Sequence, residues 1–125
     1  MADRQVSEAT EQAALFNWAR KAREEYPEVG LLFHIANGGT RNHVEAMHLK
    51  EQGVKAGVPD LCLPVPRGNY HALYIEMKRA DGGRVSDDQR VWLNALNSVG
   101  NKAVVCHGYV EARETILNYL RGIDE

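Results

Sequence analysis

The sequence predicts an α/β fold in which a small mixed β-sheet is flanked by helices. Short apolar runs that are typical of strands alternate with longer segments whose apolar residues recur at helical spacing. The predicted order is helix, strand, helix, strand, strand, helix, strand, helix, which places helices against the faces of a single sheet. At 125 residues, the chain is expected to form a single domain, residues 1–125, around one core.

The first helix is predicted from Ser7 to about Tyr26. Its apolar and polar residues mix at helical spacing, Ser7 is a suitable N-cap, and Pro27 is expected to help end the helix. A short strand is predicted over residues 31–35, and the Asn-Gly-Gly sequence at 37–39 is expected to stop it as a loop.

A second helix and a β-hairpin are predicted next. The helix covers residues 42–51 and stops at Gly53. The hairpin pairs the apolar runs 59–63 and 72–78 around a turn at residues 66–69. Antiparallel pairing of these runs would bring an acid at the start of the first strand opposite an acid at the end of the second.

The last part of the chain is predicted to add a helix, a strand and a terminal helix. Ser86 and Gln89 have the spacing of a capping box, which begins a helix that reaches about Val99. Residues 103–106 form a buried strand, and the segment 109–120 is amphipathic with helical spacing.

The composition is that of an ordinary globular protein. Apolar residues make up 44% and charged residues 26% of the chain, and no apolar run is long enough to cross a bilayer. The N-terminus lacks the apolar segment of a signal peptide, so a cytoplasmic location without membrane contact is expected. Cys62 and Cys106 belong to no CxxC pattern and lie in apolar runs, so we expect two buried, reduced thiols.

The charge and histidine patterns limit which partners are expected. A formal net charge of −2 argues against a protein that coats nucleic acid by overall attraction, but it permits contact with a few phosphates. Zinc is not expected, because His43 and His48 are five residues apart, which puts them on different faces of a helix, and no cysteine accompanies them.

Asp60, Glu76 and Lys78 are the most informative residues of the chain. The predicted hairpin brings the two acids together, and Lys78 points to the same side of its strand as Glu76 because side chains alternate with a period of two. Such a group suits the binding of Mg²⁺ or Mn²⁺ and the cleavage of a phosphodiester, with the Met77 backbone carbonyl as a further oxygen ligand. On spacing alone, a surface ion pair between the strands is an equal alternative.

These residues and their flanks resemble the VRR-NUC family of nucleases, a branch of the PD-(D/E)XK superfamily. The matching segments are 57–61, 75–78 and 83–86, followed by Gln89 and Trp92, and they occur in the family's order. The resemblance covers most of the chain and is strongest to the short, stand-alone members carried by phages and bacteria. It implies a restriction-endonuclease-like α-β-β-β-α-β core, in which the second predicted helix is an insertion.

The resemblance also implies roles for individual residues. Asp60 and Glu76 would bind the metal and take part in catalysis, and Lys78 would orient the nucleophile. Glu8 matches the family's glutamate in the first helix and would be a further metal ligand, with Glu11 as an alternative. Without the resemblance, an acid at position 8 is a solvated side chain that the helix dipole favours.

Further residues are expected beside the active centre. The resemblance places Gln89 there, as a catalytic residue, although the capping box alone would also account for this glutamine. The loop at 37–39 resembles a family segment near the cleft, where glycine amides and basic side chains approach a phosphate, although an ordinary strand-ending turn is the alternative. The residues expected to contact DNA are Asn37, Gly38, Gly39, Arg41, Lys55 and Arg84.

Together these features predict a metal-dependent DNA endonuclease that uses Mg²⁺ or Mn²⁺. The resemblance suggests that stand-alone members form homodimers, which would suit branched DNA such as four-way junctions by presenting two active sites. A nucleic-acid-binding module without catalytic activity is the alternative from another functional class. A flap nuclease or an exonuclease of the same superfamily is the alternative within the enzymes.

Overall fold

The computed structural model describes residues 6–36 and 43–123 and shows a four-stranded mixed sheet flanked by helices. The helices are α1 (Glu8–Ala22), α2 (His43–Glu51), α3 (Asp87–Ser98) and α4 (Gly108–Leu120). The strands are β1 (Phe33–His34), β2 (Leu61–Leu63), β3 (Leu73–Lys78) and β4 (Lys102–His107). This order confirms the predicted α/β class, and α2 lies in the chain segment that connects β1 to β2.

The sheet has the order β1-β2-β3-β4, with antiparallel pairing up to β3 and a parallel pair between β3 and β4. The predicted hairpin of β2 and β3 is confirmed, and Leu61 pairs with Ile75. The parallel pair requires a crossover connection, which α3 supplies. The hairpin therefore brings the start of β2 next to the end of β3, and the candidate site lies at this end of the sheet.

The predicted end of the first helix is wrong. Ser7 is the N-cap, and its hydroxyl accepts a hydrogen bond from the Thr10 amide, but α1 ends at Ala22 rather than near Tyr26. The acidic residues at 24–25 would lie at the negative end of the helix dipole, which disfavours a longer helix. Pro27 does not end α1 and instead begins a short 3₁₀ helix, Pro27–Leu31, where its missing N–H costs nothing.

Other boundaries differ less from the prediction. The strand predicted over 31–35 shortens to Phe33–His34, because the 3₁₀ helix takes up its first residue. The third helix begins with the predicted capping box of Ser86 and Gln89. The loop predicted at 37–39 and the start of the second helix at 42 lie outside the described residues.

The main core lies between the sheet and the pair α1 and α4. Leu73, Ile75 and Met77 of β3 are almost fully buried in it. Because side chains alternate along a strand, Glu76 and Lys78 point to the opposite face. Leu15, Leu61, Leu63, Ala112 and Ile116 complete the fully buried part of this core.

The third helix packs against β4 and also closes the edge of the sheet. Asn97 Oδ1 accepts a hydrogen bond from the Ala103 N–H at 2.9 Å, and Asn97 Nδ2 donates to the Ala103 carbonyl at 3.0 Å. Since β4 is an edge strand, this amide takes the place of a neighbouring strand at Ala103.

Two further sequence expectations concern cysteines and membrane segments. Cys62 and Cys106 are buried and carry free thiols, which confirms the prediction for both residues. Among residues 6–36 and 43–123, no helix has the length and apolar character that crossing a membrane requires.

Candidate active site

The carboxyl groups of Asp60 and Glu76 lie next to each other at the end of the hairpin. The register that pairs Leu61 with Ile75 sets Asp60 opposite Glu76 one residue further on. Asp60 Oδ2 accepts a hydrogen bond from the Met77 N–H at 2.7 Å, and the Asp60 carboxyl group lies close enough to Glu76 to raise the pKa of that residue. The strand pairing predicted from the sequence therefore does bring these two acids together.

The backbone of Asp60 is held by the neighbouring strand. Its carbonyl accepts a hydrogen bond from the Ile35 N–H at 2.6 Å, and His34 Nδ1 lies 2.9 Å from the same oxygen. Asp60 is thus fixed from two sides, by β1 through its carbonyl and by β3 through its carboxylate. Such support is what a side chain needs in order to stay in one orientation in a binding site.

Glu76 and Lys78 are the buried charged residues of the described chain, at 2% and 5% relative exposure. Lys78 Nζ lies 3.6 Å from Glu76 Oε2. Burying ionisable groups costs several kcal/mol per ion, and a salt bridge often fails to recover it. A buried acid and a buried amine next to a second, half-buried acid are therefore better explained by function than by stability. The alternative of a surface ion pair does not fit, because Glu76 and Lys78 are buried.

Gln89 connects these groups to the start of α3. Its Oε1 accepts hydrogen bonds from Lys78 Nζ at 3.0 Å and from the Ser86 N–H at 2.9 Å. Its Nε2 donates to Glu76 Oε2 at 3.1 Å. An amide oxygen has two lone pairs, so one side chain completes the capping box and contacts the site at once. The capping box and a position beside Glu76 and Lys78 therefore coexist in this side chain, and a catalytic role for Gln89 stays a prediction.

The turn after β3 covers Lys78. Gly83, with a φ of +102°, lies against the aliphatic part of this lysine, and a Cβ there would sit 3.2 Å from Lys78 Cδ. The segment thereby shields the lysine from water while leaving its ammonium group to Gln89 and Glu76. In the sequence this glycine stood out only as the first residue of the matching segment 83–86.

The pKa of Glu76 is raised to about 8, chiefly because burial disfavours its charged form. The neighbouring Asp60 carboxyl group contributes to this rise, and the Lys78 ammonium opposes it. In the absence of metal, Glu76 therefore retains its proton near neutral pH. Two adjacent carboxyl groups of which one holds a proton form a site in which a dication can replace that proton.

The acids of α1 are in different environments. Glu11 Oε1 accepts a hydrogen bond from the Tyr109 N–H at 3.0 Å, at the N-terminus of α4. This contact satisfies a helix amide and suits the positive end of the dipole, so Glu11 has a structural role. Glu8 is exposed in the first turn of α1. Between these two candidates, Glu8 is the acid with a free carboxylate for a ligand.

The donor set is consistent with a hard metal ion. Asp60 and Glu76 offer carboxylate oxygens, and the Met77 carbonyl points to the Asp60 side, because the N–H and C=O of a strand residue point the same way. Within residues 6–36 and 43–123, no three His, Cys, Asp or Glu side chains form a cluster, so Glu8 is not gathered with the acid pair.

The residues expected to contact DNA are only partly visible. Lys55 and Arg84 are exposed, in the loop before Asp60 and in the turn after β3. Asn37, Gly38, Gly39 and Arg41 lie outside the described residues.

The sequence missed two contributions to the site. The Met77 N–H orients Asp60, and Gly83 packs on Lys78. A backbone amide carries no sequence signal. The glycine pair at 82–83 was the one available sign of a close approach, since glycine is favoured where a backbone lies against another group.

Comparisons with known proteins concern the family and the fold of the chain. The VRR-NUC domain family model matches residues 1–109. A solved structure described as a VRR_NUC domain protein superimposes with a TM-score of 0.81 and 28% sequence identity, over 94% of this chain and 91% of that chain. No curated protein matches the chain.

Proposed function

Because the chain belongs to the VRR-NUC domain family, we propose that it is a metal-dependent endonuclease that hydrolyses phosphodiester bonds of DNA. The observation that carries the proposal is the group formed by the half-buried Asp60 and the buried Glu76 and Lys78. The Asp60 carboxyl group lies close enough to Glu76 to raise its pKa, and the Lys78 ammonium group lies 3.6 Å from the Glu76 carboxyl group. This combination of oxygen ligands and a cation suits a phosphate that gains charge during hydrolysis.

Asp60 and Glu76 would hold Mg²⁺ or Mn²⁺, with the Met77 carbonyl as a third oxygen. Glu8 of α1 is not gathered with them and would become a further ligand only by approaching the bound ion. When bound, a divalent ion supplies Lewis-acid chemistry, because it lowers the pKa of water and neutralises charge on the phosphate. The proton retained by Glu76 has to leave before its carboxylate can serve as a ligand. Metal uptake is therefore coupled to proton release from Glu76.

Lys78 holds the attacking water and stabilises negative charge that develops on the phosphate oxygens. Its burial strengthens both interactions, because an ammonium group acts more strongly where water is excluded. Gln89 keeps the lysine in place through the 3.0 Å contact with its ammonium group. The amide of Gln89 also fixes the Glu76 carboxylate through its Oε2.

The remaining parts of the proposal concern the substrate and assembly. The segment with Asn37, Gly38, Gly39 and Arg41, together with Lys55 and Arg84, would contact the DNA backbone. A homodimer would present two active sites to branched DNA, four-way junctions in particular. We take residues 1–125 as one nuclease domain that acts in the cytoplasm of a bacterial or phage-infected cell.

Cleavage assays on linear, nicked, flap and four-way junction DNA test this proposal. Purified protein should release products with Mg²⁺ or Mn²⁺ and none with a chelator, and Asp60→Asn should abolish them. Metal-independent binding of DNA without products on every substrate would favour the non-catalytic binding module instead. Products released only from a DNA end would favour an exonuclease. Cleavage of the flap substrate alone would favour a flap nuclease.

The dimer needs a separate measurement. Sedimentation equilibrium over a wide concentration range should detect a homodimer, and a protein that is monomeric at every concentration would count against junction cleavage by paired sites.

A further inference from the structure

Gly57 touches the peptide group that carries Gln89. It lies in the turn before β2 with a φ of +88°, a conformation that favours glycine. A Cβ on this residue would sit 2.5 Å from the carbonyl carbon of Asp88 and 2.7 Å from its oxygen. That carbonyl carbon is bonded to the Gln89 nitrogen. No side chain fits at such distances, so the loop lies directly on the first turn of α3.

Each of the two segments in this contact carries a residue that lies next to Glu76. Asp60 follows Gly57 by three residues, lies opposite Glu76 across the hairpin, and accepts a hydrogen bond from the Met77 N–H next to Glu76 at 2.7 Å. Gln89 adjoins the contacted peptide group and donates to Glu76 Oε2 at 3.1 Å. The contact between Gly57 and α3 thus joins, outside the sheet, two segments that are distant in sequence and approach Glu76 separately.

We propose that Gly57 is a positioning residue for Gln89. Its missing side chain sets how closely the first turn of α3 approaches the hairpin, and this distance determines where the Gln89 amide meets Glu76 and Lys78. The catalytic consequence rests on the proposed nuclease function, whereas the positioning itself does not. A larger residue at 57 pushes the start of α3 outwards and withdraws the amide from both partners.

Gly53 supplies a matched control in the same loop. Its φ is +101°, and nothing lies within 4 Å of a Cβ built on it. Gly53→Ala and Gly57→Ala both force alanine into the left-handed region and so incur similar backbone strain. Only Gly57→Ala also collides with α3. A difference between the two variants therefore reports the close approach rather than the strain.

The test compares cleavage rates and the side-chain amide signals of Gln89 in NMR spectra of the metal-free protein. Gly57→Ala is expected to lower kcat on the order of 10- to 100-fold relative to Gly53→Ala, as a displacement of about 1 Å in a site can do. Its Gln89 amide signals should shift towards those of a free side chain, while those of Gly53→Ala stay in place. In a Gln89→Ala background, the effect of Gly57→Ala on kcat should disappear.

Three results would overturn the proposal. They are equal rates of the two folded glycine variants, unmoved Gln89 signals in Gly57→Ala, and a full additive loss in the Gln89→Ala background. If Gly57→Ala does not fold, the wild type still decides: a nuclear Overhauser effect between Gly57 α-protons and the amide of Asp88 or Gln89 supports the contact, and its absence refutes it. A wild type that cleaves no DNA would refute the nuclease function alone, because the NMR measurements remain valid.

Discussion

Gln89 Nε2 lies 3.1 Å from Glu76 Oε2, so the first turn of α3 is hydrogen-bonded to a buried carboxyl group at the end of β3. The oxygen of the same amide accepts from Lys78 Nζ and from the Ser86 N–H. This glutamine therefore couples the start of a helix to the orientation of both charged groups in the candidate site. A shift of the start of α3 is therefore expected to change the orientation of Glu76 and Lys78.

Two substitutions at position 89 separate these functions. Gln89→Glu keeps the acceptors for Ser86 and Lys78 but loses the donor to Glu76, whereas Gln89→Ala loses all three contacts. Both variants should cleave DNA at least about tenfold more slowly. At pH 6, only Gln89→Ala should be less stable, by about 1 kcal/mol for the lost cap. Steady-state rates and urea unfolding measure the two effects, and a fully active Gln89→Glu would contradict a role for the amide donor.

Asp60→Asn and Glu76→Gln should abolish metal-dependent cleavage and preserve the fold. Each replaces a carboxylate ligand with an isosteric amide, and the removal of repulsion within the acid pair costs the metal-free protein little. Circular dichroism and cleavage assays on the same preparations check both points. Asp87→Asn, an exposed acid in the first turn of α3, is the matched control and should cleave like the wild type. Persistent cleavage by Glu76→Gln would remove Glu76 from the site.

The stability of the metal-free protein should fall as the pH rises from about 4.5 to about 8. The pKa of Glu76 increases from an ordinary value of 4.5 to about 8 on folding, because burial and Asp60 disfavour its charged form. The folded state thus binds the extra proton in this window, and the stabilisation present below 4.5 is lost as the pH passes through 8. The slope is at most about 1.4 kcal/mol per pH unit.

Urea unfolding at several pH values in the presence of chelator measures this slope. Glu76→Gln has no proton to lose at this position, so its stability should change less over the same window. Parallel curves for the two proteins would mean that Glu76 is ionised in the folded state at neutral pH.

Lys78→Ala should lower the cleavage rate more than the affinity for Mn²⁺. The lysine is proposed to act on the water and the developing charge, which matter most in the transition state, rather than as a ligand. Calorimetric titration of Mn²⁺ and single-turnover rates provide the comparison. Lys55→Ala, an exposed lysine, serves as a control that should weaken DNA binding without a comparable loss of the single-turnover rate. Full activity of Lys78→Ala would exclude the assigned role.

Asn97→Ala should destabilise the protein by about 1–3 kcal/mol and expose the edge of β4. The variant leaves the N–H and carbonyl of Ala103 without the amide that now pairs with them. Urea unfolding measures the loss, and light scattering measures association through the opened edge. Asn94→Ala on the exposed surface of α3 is the control and should change stability little. An Asn97→Ala variant that is as stable as the wild type would mean that water replaces the amide at no cost.

Some of the site was predictable because it depends on local patterns. The alternation of apolar residues along the two runs places Glu76 and Lys78 on one face of β3, and the antiparallel turn brings Asp60 opposite Glu76. The capping box of Ser86 and Gln89 follows from a spacing of three residues. Each of these features is decided by neighbours in sequence or by a single hairpin.

Other features were not predictable, because they depend on contacts between segments that are distant in sequence. The end of α1 at Ala22 and the 3₁₀ helix after Pro27 depend on how the chain turns back towards the sheet. The two glycines at 57 and 83 indicate positions where the backbone has more conformational freedom. No local pattern predicts that Gly57 approaches Asp88 or that Gly83 approaches Lys78.

The sequence by itself determined which chemical groups this protein has and the order of the elements that carry them, because periodicity and capping act over a few residues. Only the tertiary structure decided that Glu76 and Lys78 are removed from water and that one glutamine contacts both. Burial and contact distances arise where distant segments pack together, and they shift the proton affinity of Glu76 through desolvation. The packing of these distant segments, together with the neighbouring Asp60 and Lys78, therefore creates the electrostatic environment of Glu76.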